Sequence, residues 1–154
     1  MKPIQLDTPA GPASFSDLAL DFTGTLSSDG ALLPGVEERL RLLAGRLRIT
    51  VVTADTFGTA RAALRDLPVA VRRVRDGREK ADAVSALGSG GVVAIGNGRN
   101  DVGMMEVAGL SIAVIGPEGA AARLLAAADV VVRDIRDALD LLVHPLRLKA
   151  TLRD

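Results

Sequence analysis

The chain has 154 residues, 48% of them hydrophobic and 25% charged, with 19 basic side chains balancing 19 acidic ones. That length supports one domain whose core removes about 70% of the unfolded surface from water, and the balanced charge provides no field for a polyanion such as nucleic acid. Aromatic residues make up only 2% and Cys is absent, which removes stacking platforms for single-stranded nucleic acid and excludes disulfides, thiolate metal sites and thiol catalysis.

Residues 1–15, with Pro3, Pro9 and Pro12, read as an N-terminal arm or edge hairpin. They contain no apolar signal core, and no run in the chain reaches the ~20 apolar residues of a membrane span. A soluble, cytoplasmic protein without a membrane partner is therefore expected. The first candidate strand is 17–22, "DLALDF". It is followed by 26–35, "LSSDGALLPG", where Asp29-Gly30 signals a tight turn and a small hairpin flap. Residues 35–47 place Val36, Leu40, Leu43 and Leu47 on one helical face, with Pro34 near the start, where a missing N–H costs little. Strands are then predicted at 48–53, 69–74, 91–96, 110–115 and 129–133, and helices at 57–67, 77–88, 100–108, 118–127 and 134–143. Pro117 is read as lying near the start of the helix at 118, and His144 before Pro145 as capping the end of the last one.

Several of these strands are continuous Val, Ile and Leu, as in parallel strands covered on both faces. Strands alternating with helices of this length imply βαβ units. The expected fold is α/β, three-layered and Rossmann-like, with a mainly parallel central sheet, as one domain over residues 1–154. In such sheets ligands bind beyond the carboxyl ends of the strands. The residues placed there are Asp21-Phe-Thr-Gly-Thr25, Thr53-Ala-Asp55 and Gly96-Asn-Gly-Arg-Asn-Asp101, with Lys80 on the helix before the third group. Carboxylates, hydroxyls and one amine at a sheet end suit phosphoryl transfer. Lys80 is conspicuous because the chain has 16 Arg but only three Lys, the others being Lys2 and Lys149 near the ends. A compact ammonium is not interchangeable with a planar guanidinium. "GNGRND" lacks the last Gly of a dinucleotide fingerprint.

"DFTGT", "TAD", the isolated Lys80 and "GNGRND", in that order, resemble the motifs of the haloacid dehalogenase superfamily, in the version found in the phosphorylation domain of P-type ATPases. There the patterns are Asp-Lys-Thr-Gly-Thr, Thr-Gly-Asp and Gly-Asp-Gly-x-Asn-Asp. The resemblance runs from about residue 17 to residue 133. It implies a Mg²⁺-dependent phosphohydrolase or phosphotransferase with Asp21 as nucleophile. By the same resemblance, Asp21, the Thr23 carbonyl, Asn97 and Asp101 would hold Mg²⁺. Gly24, Thr53, Ala54, Lys80 and Asn100 would bind phosphate, and Thr25 would brace the loop.

Two departures bear on activity. Most phosphatases of this superfamily carry an acid/base Asp two residues after the nucleophile, and here that residue is Thr23. General acid–base help is worth about 10²–10⁴-fold, so dephosphorylation of Asp21 should be slow. Asn97 stands where the ATPase pattern has Asp, which removes one negative charge from the metal site. The 28 positions from Thr25 to Thr53 and the 27 from Thr53 to Lys80 leave no room for a cap domain. An open site suits a phosphorylated small molecule, a phosphoprotein, or closure by another copy in a homo-oligomer, as in capless phosphatases of the keto-deoxy-octulosonate type. Alternatives are a catalytically silent phosphate-binding or regulatory module and a receiver-like signalling domain. Receivers, however, open with paired acidic residues and carry the acceptor Asp on a later strand.

Overall fold

The computed structural model describes residues 1–154. Six strands form one wholly parallel sheet: β3 (Asp17–Leu20), β6 (Arg48–Thr53), β7 (Ala70–Arg73), β8 (Val92–Gly96), β9 (Leu110–Val114) and β10 (Val130–Val132), in the order β10-β9-β8-β3-β6-β7. All six predicted strands are present, each within about two residues of its expected ends. The chain builds outward from β3 through β6 to β7, then crosses back to β8 on the other side. The strand order therefore reverses between β3 and β8, the position where such sheets bind ligands.

Helices cover both faces. On one lie α1 (Val36–Leu43), α2 (Thr59–Ala63) and α6 (Ile135–Val143), whose Leu40, Leu43, Ala60, Leu139 and Leu142 join Leu18, Leu20 and Ile95 in one core. On the other lie α3 (Gly77–Ala86), α4 (Val102–Val107) and α5 (Ala122–Ala127), packed through Ala83, Val84, Met104, Met105 and Leu124 on Ala94 and Ala113. β3, β8 and β9 are buried along their whole lengths, which is why they carry no alternation. Arg39 of α1 forks onto Asp140 of α6 at 2.7 and 3.1 Å, joining the two helices outside the core.

Three local differences from the sequence reading have clear causes. The N-terminal segment forms a hairpin, β1 (Ile4–Thr8) and β2 (Gly11–Phe15), that pairs with itself and not with an edge of the main sheet. Its Phe15 is fully buried in the core. A seventh helix, α7 (Pro145–Leu152), follows the last predicted one and packs against β1. Pro145 takes its first turn, so His144 ends α6 and begins α7. Pro117 is not at a helix start: residues 116–119 form a turn closed by Gly119 N–H to the Gly116 carbonyl at 2.9 Å, and α5 begins only at Ala122.

The remaining strands, β4 (Ser27–Ser28) and β5 (Ala31–Leu32), pair antiparallel across Asp29-Gly30. Both turn residues have positive φ, 51° and 82°, the requirement of the type I′ turns that Asp-Gly favours.

Candidate active site

Asp21, Thr53 and Asn97 each directly follow or end one of three adjacent strands, β3, β6 and β8. A cavity of about 430 Å³ opens there, and its walls include Asp21, Thr23, Thr53, Ala54, Lys80, Asn97 and Asn100. Gly24 and Asp101 lie behind this wall, in contact with groups that form it.

At the centre is a buried triad of charges. Lys80 Nζ lies 2.7 Å from Asp21 Oδ1 and 2.8 Å from Asp101 Oδ1. α3 carries the lysine there because its first turn is fixed at both ends of the approach. Asp76 caps the helix by accepting from Glu79 N–H at 2.9 Å. Gly77 lies so close to the 99–101 turn that a Cβ on it would stand 2.7 Å from the Asn100 carbonyl oxygen. Burial is the largest influence on Asp21, and the nearby Asp101 charge adds to it. Together they outweigh Lys80 and Thr25 and push the carboxyl from 3.8 up to about 6. For Lys80, burial disfavours the charge, but the two carboxylates outweigh it and raise the ammonium above its ordinary range.

Asp101, which the resemblance places among the metal ligands, has both carboxylate oxygens held by protein donors. It is 0% exposed. One oxygen faces Lys80, and the other accepts from the backbone N–H groups of Asn97 at 3.1 Å and Gly98 at 3.0 Å. With its oxygens committed in this way, it anchors Lys80 and the 97–101 loop. Gly96 makes that possible, because a Cβ there would lie 2.5 Å from Asp101 Oδ2.

For Gly24 the resemblance implies an N–H aimed at the phosphate, and there the structure differs. Its N–H donates to the Ser27 carbonyl at 3.1 Å and does not point into the cavity. The need for glycine is steric: φ is +75°, and a Cβ would meet Asn97 Nδ2 at 2.7 Å. Among the cavity-lining N–H groups without a protein acceptor are those of Phe22, Thr23 and Ala54. Phe22 and Thr23 directly follow Asp21, and Ala54 follows Thr53, whose hydroxyl also faces the cavity. Sequence reading gave Ala54 a place but not this reason, since nothing in a sequence marks an amide that tertiary structure leaves free. Asn100 is exposed on the wall, with its side chain free of protein partners.

Thr25 is fully buried, with Oγ1 3.0 Å from both Asp21 Oδ2 and Asn97 Oδ1. Asn97 donates through Nδ2 to the Gly119 carbonyl at 3.1 Å. The amide thus presents opposite polarities to its two neighbours, a task that a carboxylate in its place could not perform. Asp55 was visible only as the end of "TAD". Its φ is +41°, and its carboxylate accepts from the N–H groups of Ala60 and Arg61 at 2.8 and 3.2 Å, closing the 54–58 loop onto α2.

For a hard divalent cation the oxygen donors in reach are the Asp21 carboxylate, the Thr23 carbonyl, which accepts no hydrogen bond within the protein, and the Asn97 amide oxygen. So sparse an all-oxygen set fits Mg²⁺, which keeps several waters.

A family model described as haloacid dehalogenase-like hydrolase matches residues 70–138. An uncharacterised protein of Methanocaldococcus jannaschii is 54% identical over 63 residues, covering 41% of this chain and 68% of the relative. Among solved structures, the 3-deoxy-D-manno-octulosonate 8-phosphate phosphatase of Moraxella catarrhalis, determined with magnesium, phosphate and a KDO molecule, superimposes with a TM-score of 0.68 at 17% identity. The match covers 88% of this chain and 90% of that one. A zinc-transporting PIB-type ATPase matches with a TM-score of 0.65 at 24% identity, over 78% of this chain and 20% of the ATPase. No helix here is long and apolar enough to cross a membrane. The structural matches show the common fold; with the family match and the six-stranded parallel sheet lacking a cap, they establish that this chain belongs to the haloacid dehalogenase-like hydrolases.

Proposed function

We propose that this chain is a Mg²⁺-dependent phosphohydrolase or phosphotransferase working through an aspartyl-phosphate on Asp21, with slow release because Thr23 replaces an acid/base Asp. The observation that carries the reading is the setting of Asp21. Its carboxylate faces a cavity at the reversal of strand order, beside Lys80, the Thr53 hydroxyl and three free backbone N–H groups.

An Asp21 oxygen attacks phosphorus, and the bond from phosphorus to the leaving oxygen breaks. That oxygen takes its proton from water, since Thr23 has no acid to offer. The N–H groups of Phe22, Thr23 and Ala54 and the Thr53 hydroxyl donate to the phosphoryl oxygens. Lys80 offsets the negative charge gathered between phosphate and Asp21, while Asp101 fixes the lysine's position. Water then attacks phosphorus, the bond to Asp21 breaks, and the carboxylate is restored. Without a base at position 23 this second displacement is the slower one. Mg²⁺ would be held by Asp21, the Thr23 carbonyl and the Asn97 amide oxygen, and would supply charge neutralisation for the transferring group. The open mouth suits a phosphorylated small molecule, or a phosphoprotein or second copy of the chain that covers it.

The test is hydrolysis of 4-nitrophenyl phosphate and acetyl phosphate with Mg²⁺, comparing wild type with Asp21→Asn, and mass detection of trapped phosphoprotein. Turnover or an adduct that vanishes in the variant supports the mechanism. Equal activity in the variant overturns it. Phosphate binding with neither turnover nor adduct favours the silent module.

A further inference from the structure

We propose that Phe57 is the specificity residue of this site, receiving the planar face of an aromatic leaving group, either an aryl ring or a nucleobase. The inference rests on the phosphoryl-transfer reading above and names the substrate class for it. The chain has three Phe and neither Tyr nor Trp. Phe15 and Phe22 are buried, whereas Phe57 is 93% exposed, the most exposed of the large apolar side chains. It stands at the wall of the cavity that holds Asp21 and Lys80, beside Ala54, Thr56 and Thr59.

The ring is not on a loose tip. Gly58 N–H donates to the Asp55 carbonyl at 3.0 Å, and both Asp55 carboxylate oxygens accept from the first turn of α2. Positive φ at Asp55 (41°) and Gly58 (71°) brackets Thr56 and Phe57, so the backbone turns outward where the ring is presented. The lining also includes Gly30 of the β4–β5 turn, where a Cβ would lie 3.1 Å from Thr59 Cγ2, so this turn and the start of α2 close one side of the cavity together. Asp21 and Phe57 line the same cavity, so the ester substituent of a phosphoryl group at Asp21 can lie against the exposed ring. An exposed Phe forfeits burial and is not needed to close the fold; against a flat π-face it regains both area and ring–ring attraction.

The test is calorimetric binding, with Mg²⁺ present, of methylphosphonate, naphthylmethylphosphonate and adenosine 5′-monophosphate to wild type, Phe57→Ala and Phe57→Leu. Wild type should bind at least one planar ligand about tenfold tighter than methylphosphonate. Phe57→Ala should bring that advantage to within about twofold while leaving methylphosphonate affinity unchanged, and Phe57→Leu should retain part of it. A preference for the naphthyl ligand alone identifies an aryl group, and one for the nucleotide alone a nucleobase. An advantage that survives Phe57→Ala, or no planar preference in wild type, overturns the inference while leaving the phosphate site standing. A change of oligomeric state in Phe57→Ala without a change in selectivity also overturns it. Failure of all three ligands to bind wild type overturns the underlying phosphate-site reading.

Discussion

Replacing Asp21 with Asn should make the metal-free protein more stable. At neutral pH the Asp21 carboxylate shares one ammonium with Asp101, so the buried triad carries surplus negative charge. Burial and the Asp101 charge place its carboxyl at about 6 instead of 3.8, a difference equivalent to about 3 kcal/mol at ~1.4 kcal/mol per pH unit. An amide of the same shape keeps a hydrogen bond to Lys80 or Thr25 and removes the unfavourable charge, while Lys80 keeps Asp101 as its counter-ion. Part of the 3 kcal/mol is returned in imperfect amide contacts, so we expect a gain of about 1–3 kcal/mol, or roughly 3–10 °C in melting temperature for a chain of this size. The assay is thermal and urea unfolding in EDTA at several pH values. The sign follows from linkage: a carboxyl whose pKa is raised by folding contributes its full stability below 3.8 and loses it as pH rises through about 6. Asp134 runs the opposite way. Its hydrogen bonds from Arg136 lower it to about 2, so its contribution is present above 3.8 and lost as pH falls toward 2. The difference between wild type and variant isolates Asp21, and it should open between pH 4 and pH 6 and stay level above. A variant less stable than wild type by more than about 1 kcal/mol at pH 7.5 would refute the reasoning, since the Asp21–Lys80 attraction would then exceed burial and repulsion together.

Removing the cation should do the reverse. Lys80→Met leaves two buried carboxylates facing each other and should cost about 3–5 kcal/mol at pH 7 in urea unfolding, the loss shrinking toward pH 4 as Asp21 protonates. Gly96→Ala places a Cβ 2.5 Å from Asp101 Oδ2; displacing that carboxylate should lower stability by about 1–3 kcal/mol and reduce kcat more than KM in aryl phosphate hydrolysis. Thr23→Asp supplies the missing acid and base on an exposed residue of the cavity wall, and should raise the rate of phospho-Asp21 breakdown by about 10²-fold or more in single-turnover measurements.

Much of this molecule was legible in the sequence because burial on both faces writes itself as continuous Val, Ile and Leu. Hence β3, β8 and β9, and the α1 face of Val36, Leu40 and Leu43, follow from composition and period alone, whereas the edge strand β7 ends in Arg72-Arg73 and is largely exposed. Asp29-Gly30 was legible for a separate reason, since few residues accept two successive positive φ angles. The α7 helix was less so: its one buried anchor, Leu148, makes no periodic pattern, and only Pro145 marks its start. The residues gathered at the strand ends were also visible, because a βαβ order dictates which residues emerge together.

What each residue does there was decided by tertiary structure. Asp101 and Asp21 are the same residue type at the same sheet end, but one is locked by two backbone N–H groups and a lysine, and the other faces the cavity. Gly24 turned out to need its missing side chain, not its N–H, because Asn97 occupies the space a Cβ would fill. Local sequence sets which groups a strand end can offer. Which of them keep a free lone pair or proton depends on partners as much as 72 positions away, as between Thr25 and Asn97, and only packing brings those together.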